Sequence, residues 1–177
     1  MGSDYNKDYN NDDVEEVVAD EPIDRVRLVG LGIRPDAKYD SINVSKFINI
    51  IMLDGKKQAA TRVLYDALDI IADKVKDKSP IEVLEASIEN VKPLVEVRSK
   101  RVGGATYQIP MEVKPKRQRI LALRWIKEAF RKKKGRSSAE RLSAEILDGY
   151  NKQGAAMNVR ENVHKMAEAN KAFAYYA

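Results

Sequence analysis

The chain has 177 residues, 44% of them apolar and none of them cysteine. That length suits one domain with appendages and the apolar content is enough for a core. Without thiols there is no disulfide framework, thiolate metal site or cysteine nucleophile. The net charge of +5 hides its distribution. Residues 1–24 carry nine acids against one base, whereas residues 98–136 carry fourteen Lys/Arg against two acids.

Catalytic parts are scarce. His164 is the single histidine, which leaves imidazole metal clusters and Ser-His relays incomplete. The longest strongly apolar run, Phe47–Leu53, is far short of the roughly 20 residues needed to cross a bilayer. The opening residues do not resemble a signal peptide, so a soluble, reducing compartment is expected.

Residues 1–24 are polar and acidic without a sustained apolar period, and are expected to form a disordered tail. Residues 25–40, with Val26, Leu28, Val29, Leu31 and Ile33 around two glycines, read as an extended arm. Residues 41–177 read as the folded domain. Its first helix is predicted from Ser41 to Gly55, because Val44, Phe47, Ile48, Ile51 and Met52 make one face and Gly55 suits a left-handed cap. The second spans about Lys57 to Lys76. The third starts at Ser79-Pro80, where Glu82 can close a capping box, and ends before Pro93.

The period then changes. Val95–Val102 and Ala105–Val113 flank Gly103-Gly104, the signature of a tight hairpin. Pro110 excludes a central strand, and no other strand candidate is near in the chain, so a two-stranded ribbon over about residues 95–113 is predicted. Eight residues a side would project about 26 Å. Such a ribbon is marginal alone in water, so its order is expected to depend on what it touches. A fourth helix is predicted from about Lys116 to Lys134. Its apolar face is Leu121, Trp125, Ile126, Ala129 and Phe130, and Arg117, Arg124, Lys127, Arg131 and Lys134 follow another face. Ser137 or Ser138 caps a fifth helix ending before Gly154. Asn158 with Glu161 is expected to open a sixth, with Val159, Val163, Met166 and Phe173 facing inward. The predicted fold is mainly α: five or six helices with one protruding two-stranded β-ribbon between the third and fourth.

The ribbon and the helix after it form the strongest constellation. Arg98, Lys100, Arg101, Lys114, Lys116, Arg117 and Arg119 fall within 22 residues, and polyanion binding requires many cations on one surface. Tyr107 suits either base stacking or cross-strand packing. Lys56-Lys57 suit either a phosphate or a polar turn, and His164 is expected to be structural. Gly103-Gly104 lacks the following helix of a phosphate-cradling loop. An architectural DNA-binding protein is the alternative, but it needs an apolar wedge at the ribbon tip that Gly103-Gly104-Ala105 does not supply. An RNA-modifying enzyme would lack machinery.

Three stretches resemble a known family: Lys46–Lys57 (KFINIIMLDGKK), Val97–Pro110 (VRSKRVGGATYQIP) and Val163–Phe173 (VHKMAEANKAF). They are similar to the bacterial form of small-subunit ribosomal protein seven, over about Arg34 to Phe173. The resemblance implies a six-helix body with a protruding ribbon, no catalysis and no cofactor. It further implies a cytoplasmic, ribosomal, primary rRNA binder that nucleates assembly of the small-subunit head. Implied neighbours are exit-site tRNA, the mRNA path and small-subunit proteins nine and eleven, with neither membrane nor small-molecule substrate. Some members repress their own message. By matched position, rRNA contact falls on Arg34, Lys38, Lys56, Lys57, Arg98, Lys100, Arg101, Lys114, Arg117 and Arg119. The ribbon tip, Arg101, Val102, Gly103, Gly104, Ala105, Thr106 and Tyr107, would face tRNA or mRNA. Two features depart from the family. Where the family begins with a short, very basic arm, this chain has the long, acidic residues 1–24, expected to weaken RNA binding or to lie away from the RNA, with only Arg25, Arg27 and Arg34 near the arm's place. The family's Pro-Asp-Pro-Lys is here Pro35-Asp36-Ala37-Lys38.

Overall fold

Amphipathic periods, capping signals and one glycine pair fix the order of elements, and the computed structural model describes residues 33–176. The acidic tail and the arm as far as residue 32 lie outside the described residues. From there the helices are α1 (Ile42–Ile51), α2 (Lys57–Lys74) and α3 (Pro80–Val91), then the strands β1 (Val95–Val102) and β2 (Ala105–Glu112). These are followed by α4 (Pro115–Lys132), α5 (Ser138–Tyr150), α6 (Ala155–Ala169) and a 3₁₀ segment, Lys171–Tyr176. Residues 35–177 make one compact unit.

Local chemistry explains most of the boundaries. Ser41 Oγ accepts from the Val44 N–H and starts α1. Ser79 and Glu82 close the capping box of α3 reciprocally, with Pro80 at the first helical position. Ser137 Oγ accepts from the Glu140 N–H and settles which serine caps α5. Phe47, Leu64, Leu68, Ile71, Leu84, Leu123, Ile126, Leu142 and Ile146 form the fully buried centre. Trp125 is only partly buried, packed against it. Asn90 on α3 donates to the Gly149 and Tyr150 carbonyls ending α5, and Arg160 on α6 donates to the Asn90 carbonyl at 2.8 Å. Three helices are thereby tied at one point.

Two expected boundaries move. α1 ends at Ile51 with Met52 at its cap, not at Gly55. Asp54 (φ 51°) and Gly55 (φ 71°) are both left-handed and form a separate turn before α2. α6 starts at Ala155 instead of at Asn158, which leaves Asn158 and Glu161 inside the helix. Its cap is Gly154, at φ 92° and ψ 177°, a region only glycine enters readily. A Cβ there would also meet Asp148 Cβ at 2.8 Å. The orphan Ala156 N–H is satisfied by Glu145 Oε1 of α5 at 3.0 Å, so a carboxylate distant in sequence replaces the expected local cap. Ala156, Met157 and Ala167 are its buried residues. Met166 is half exposed, and Phe173 belongs to the 3₁₀ segment.

Candidate nucleic-acid interface

Gly103 (φ 57°) and Gly104 (φ 90°) supply the two positive angles of a two-residue hairpin turn. The antiparallel register that follows pairs Val102 with Ala105, Lys100 with Tyr107, Arg98 with Ile109 and Glu96 with Met111. Alternation from that closing pair puts Val97–Pro110 at a non-hydrogen-bonded position, so Pro110 removes no ladder bond.

The same register sorts the cations. Residues two apart share a face, so Arg98 and Lys100 lie with Glu96, Tyr107 and Ile109, whereas Arg101 lies with Val97, Ser99, Thr106 and Gln108 on the other. The Ser99–Gln108 side-chain hydrogen bond, 3.1 Å, marks that second face. The face with Ile109 turns toward the helices, for Ile109 is 1% exposed, while Arg98 and Lys100 remain exposed beside it. The ribbon therefore presents its cations on two sides, not as one uniform grip.

What joins one of them, Arg98, to the helical body is Glu96, a residue that sequence reasoning missed. Its carboxylate is 9% exposed and receives Arg98 Nη2 at 2.7 Å and Arg117 Nε at 2.8 Å. Arg117 stands in the first turn of α4, so one carboxylate fixes a strand cation and a helix cation side by side. Two cations per carboxylate leave a net +1 in a corner that also borders Lys114, Lys116 and Arg119. The available signal was the strand alternation, which puts Glu96 and Arg98 on one face; the partner on α4 has no signature in sequence.

From this corner the charge continues along α4. Arg117, Arg124 and Arg131 lie away from the buried Ala122, Leu123, Ile126, Ala129 and Phe130, with half-buried Lys127 at the edge and exposed Glu128 among them, a stripe of about 21 Å at 1.5 Å per residue. At its far end Arg131 lines a groove with Lys56, Ile51, Leu53, Phe130 and Arg141. Lys56, exposed just before α2, is brought to that end of the stripe, whereas Lys57, also exposed, lines a separate groove with Thr61, Arg62 and Tyr65. Arg131 is steadied by donating to the Ile51 carbonyl at 2.9 Å.

Lys38 sits differently. Asp36, 7% exposed, accepts from the Lys38 and Tyr39 N–H groups and from the Tyr65 hydroxyl at 2.8 Å. Lys38 Nζ meets Asp69 at 2.8 Å and lies 5.1 and 5.2 Å from the ring centres of Tyr39 and Tyr65. The Asp69 hydrogen bond raises its pKa above the usual lysine value. Arg34 is exposed at the start of the described chain, ahead of the compact unit.

Two further contacts steady the ribbon. His164 Nε2 accepts from the Leu94 N–H at 3.1 Å, holding the chain just before β1; burial, then the neighbouring Arg160 charge, push the imidazole below its usual pKa. Tyr107 packs against Phe173, ring centres 5.3 Å apart and planes at 49°. This partner belongs to the 3₁₀ segment and not to the facing strand. Among the described residues no group of acids and His could hold a metal ion and no helix is long and apolar enough to cross a membrane.

A six-helix body with a two-stranded ribbon after the third helix is what the resemblance implied. The family model described as ribosomal protein S7p/S5e matches residues 25–171. The chain belongs to that family. It is 57% identical over 148 residues to small ribosomal subunit protein uS7 of Chlorobaculum parvum, covering 83% of this chain and 95% of the relative. The protein of the same name from Chlorobium phaeobacteroides strain BS1 is 53% identical over 150 residues, 85% of this chain and 97% of the relative. That of Marinobacter nauticus is 54% identical over 144 residues, 81% and 92%. Membership makes this S7-family chain a structural ribosomal protein and not an enzyme.

Proposed function

We propose that the protein is a primary rRNA-binding component of the small ribosomal subunit that nucleates assembly of the subunit head. In this reading it works in the cytoplasm, beside small-subunit proteins nine and eleven, and the ribbon tip, Arg101 to Tyr107, faces exit-site tRNA and the mRNA path. The observation that carries the reading is the cationic surface running from Arg98, Lys100 and Arg117 along α4 to Arg131 and Lys56. Phosphates set along that line are neutralised in sequence, each releasing counterions. Phosphate contacts position a protein without reading bases, so selectivity comes from the shape of a folded RNA junction that matches the angle between ribbon and helix. Arg34, Lys38, Lys57, Lys114 and Arg119 complete the proposed contact set.

Footprinting of small-subunit rRNA, with duplex DNA as competitor, tests this. Protection should fall on a folded junction and survive excess duplex. Replacing Arg98 and Lys100 together by Ala should lower the slope of log K against log salt by about 1.4–1.8, at ~0.7–0.9 per lost phosphate contact. Equal displacement by duplex DNA, or an unchanged slope, refutes the reading.

A further inference from the structure

We infer that the C-terminal 3₁₀ segment is a strap, and that Phe173 is a positioning residue that sets the direction of the ribbon for RNA. The inference rests on the ribbon being an RNA grip, and it begins from what holds a two-stranded ribbon in place. Such a ribbon is marginal in water, so each part of it needs an anchor outside itself. The base has several. Ile109 and Val113 are buried, Glu96 is joined to Arg117 on α4, and His164 holds the Leu94 N–H.

None of these reaches the outer half. Tyr107 lies two residues beyond Ile109 along β2, roughly 7 Å at ~3.4 Å per residue, and it is opposite Lys100. There the 3₁₀ segment packs against β2, with the Phe173 ring set on Tyr107. The chain is turned back to reach that point. Asn170 caps α6, its side chain donating to the Met166 carbonyl at 2.7 Å, and the Phe173 N–H then bonds the Asn170 carbonyl at 2.9 Å. Phe173 is half-buried by this contact, whereas Tyr175, two residues on, is 91% exposed. The segment thus sets the Phe173 ring on the ribbon, at the residue paired with a predicted phosphate-binding lysine. Arg98 and Lys100 share the Tyr107 face, so the angle at which Phe173 holds that face is the angle at which those cations meet RNA. A ribbon held at that angle before binding does not lose its orientational freedom at the moment of binding.

The full chain carrying Phe173→Ala tests this, with Phe173→Tyr as the conservative variant. Amide exchange in residues 99–108 should quicken while exchange in α2 and α3 and the thermal midpoint stay put. Affinity for the folded rRNA junction should fall about three- to tenfold, the range expected for losing an aromatic pair. Phe173→Tyr should restore both. Unchanged exchange in the ribbon overturns the inference, and so does a loosened ribbon that binds RNA as before. Tighter binding by Phe173→Ala also overturns it, by showing that the ring covers Tyr107 instead of aiming it. If the wild-type chain itself fails to select rRNA, the RNA reading falls, and the exchange comparison still decides the strap.

Discussion

The substitution Glu96→Gln sets two effects of one carboxylate against each other. In the free protein Glu96 fixes Arg98 and Arg117 within 2.9 Å of its oxygens. Removing its charge raises the local charge by one but loosens both guanidiniums, each about half exposed. At ~0.01 M salt the Debye length is about 30 Å, so the added charge acts on every nearby phosphate. At ~0.15 M it is about 8 Å and the lost ordering prevails. One extra cation available to phosphate steepens the salt slope by ~0.7–0.9. Over a tenfold change in salt this moves the variant's affinity relative to wild type by about five- to eightfold. The two binding curves, measured by filter retention of the rRNA junction from about 0.02 to 0.2 M salt, should therefore cross, with the variant tighter at the low end. Parallel curves would show that Glu96 neither screens nor orders the pair, and would refute the reasoning.

Lys133 pairs with the fully buried Glu145 at 2.8 Å and with Asp148 at 2.6 Å. Lys133→Met leaves a buried carboxylate without its partner and should cost about 3 kcal/mol by urea unfolding, at the low end for such breaks because Lys133 is itself partly exposed. Glu145→Gln, which keeps an acceptor for the Ala156 N–H, should cost clearly less; equal costs would count against the ion pair. The pH dependence of the ribbon base follows from His164. Folding disfavours its imidazolium, so the unfolded chain takes up the proton first as pH falls. The stability His164 contributes is whole above its ordinary pKa near 6.5 and is lost as pH falls through the lower folded value. The protection of the Leu94 amide, relative to its intrinsic exchange rate at each pH, should fall from pH 7.5 to 5 in wild type but not in His164→Gln; identical protection profiles would remove His164 from the hinge.

Elements whose cause is local were legible in sequence. The Ser79-Pro80-Glu82 start of α3 needs only its own neighbours, as does the Gly103-Gly104 turn, and both form as expected. Errors arise where a distant group replaces a local one. Asn158 and Glu161 have the spacing of a capping box, yet the N-terminus of α6 is satisfied by Glu145 on another helix, and the local pair stays inside the helix. Met166 follows the apolar period, but the buried face of α6 is the one that Ala156 and Ala167 share, and Met166 falls about 80° to its side. The functional surface divides the same way. Charge density pointed to residues 98–136, whereas the separation of Arg101 from Arg98 and Lys100 comes from strand register. The joining of Arg98 to Arg117 comes from a carboxylate whose partner lies 21 residues on.

Counting cations per carboxylate also separates grips from pins. Lys38 meets Asp69 one to one and lies against two tyrosine rings, with Asp36 beneath them drawing in the backbone that leads to α1. With one cation against two carboxylates such a unit carries a net −1, and a phosphate approaching it meets Asp69 as well as Lys38. Glu96, by contrast, holds two guanidiniums and leaves one charge uncompensated, with Lys114 and Lys116 exposed nearby. An ion pair with half-exposed partners contributes little to stability, so the cost of keeping Glu96 among cations is not repaid by folding alone. On the proposed RNA-binding reading, Glu96 would lessen the repulsion between Arg98 and Arg117 and hold them aligned for a phosphate. The corner of β1 and α4, more than Lys38, is therefore where RNA affinity should concentrate.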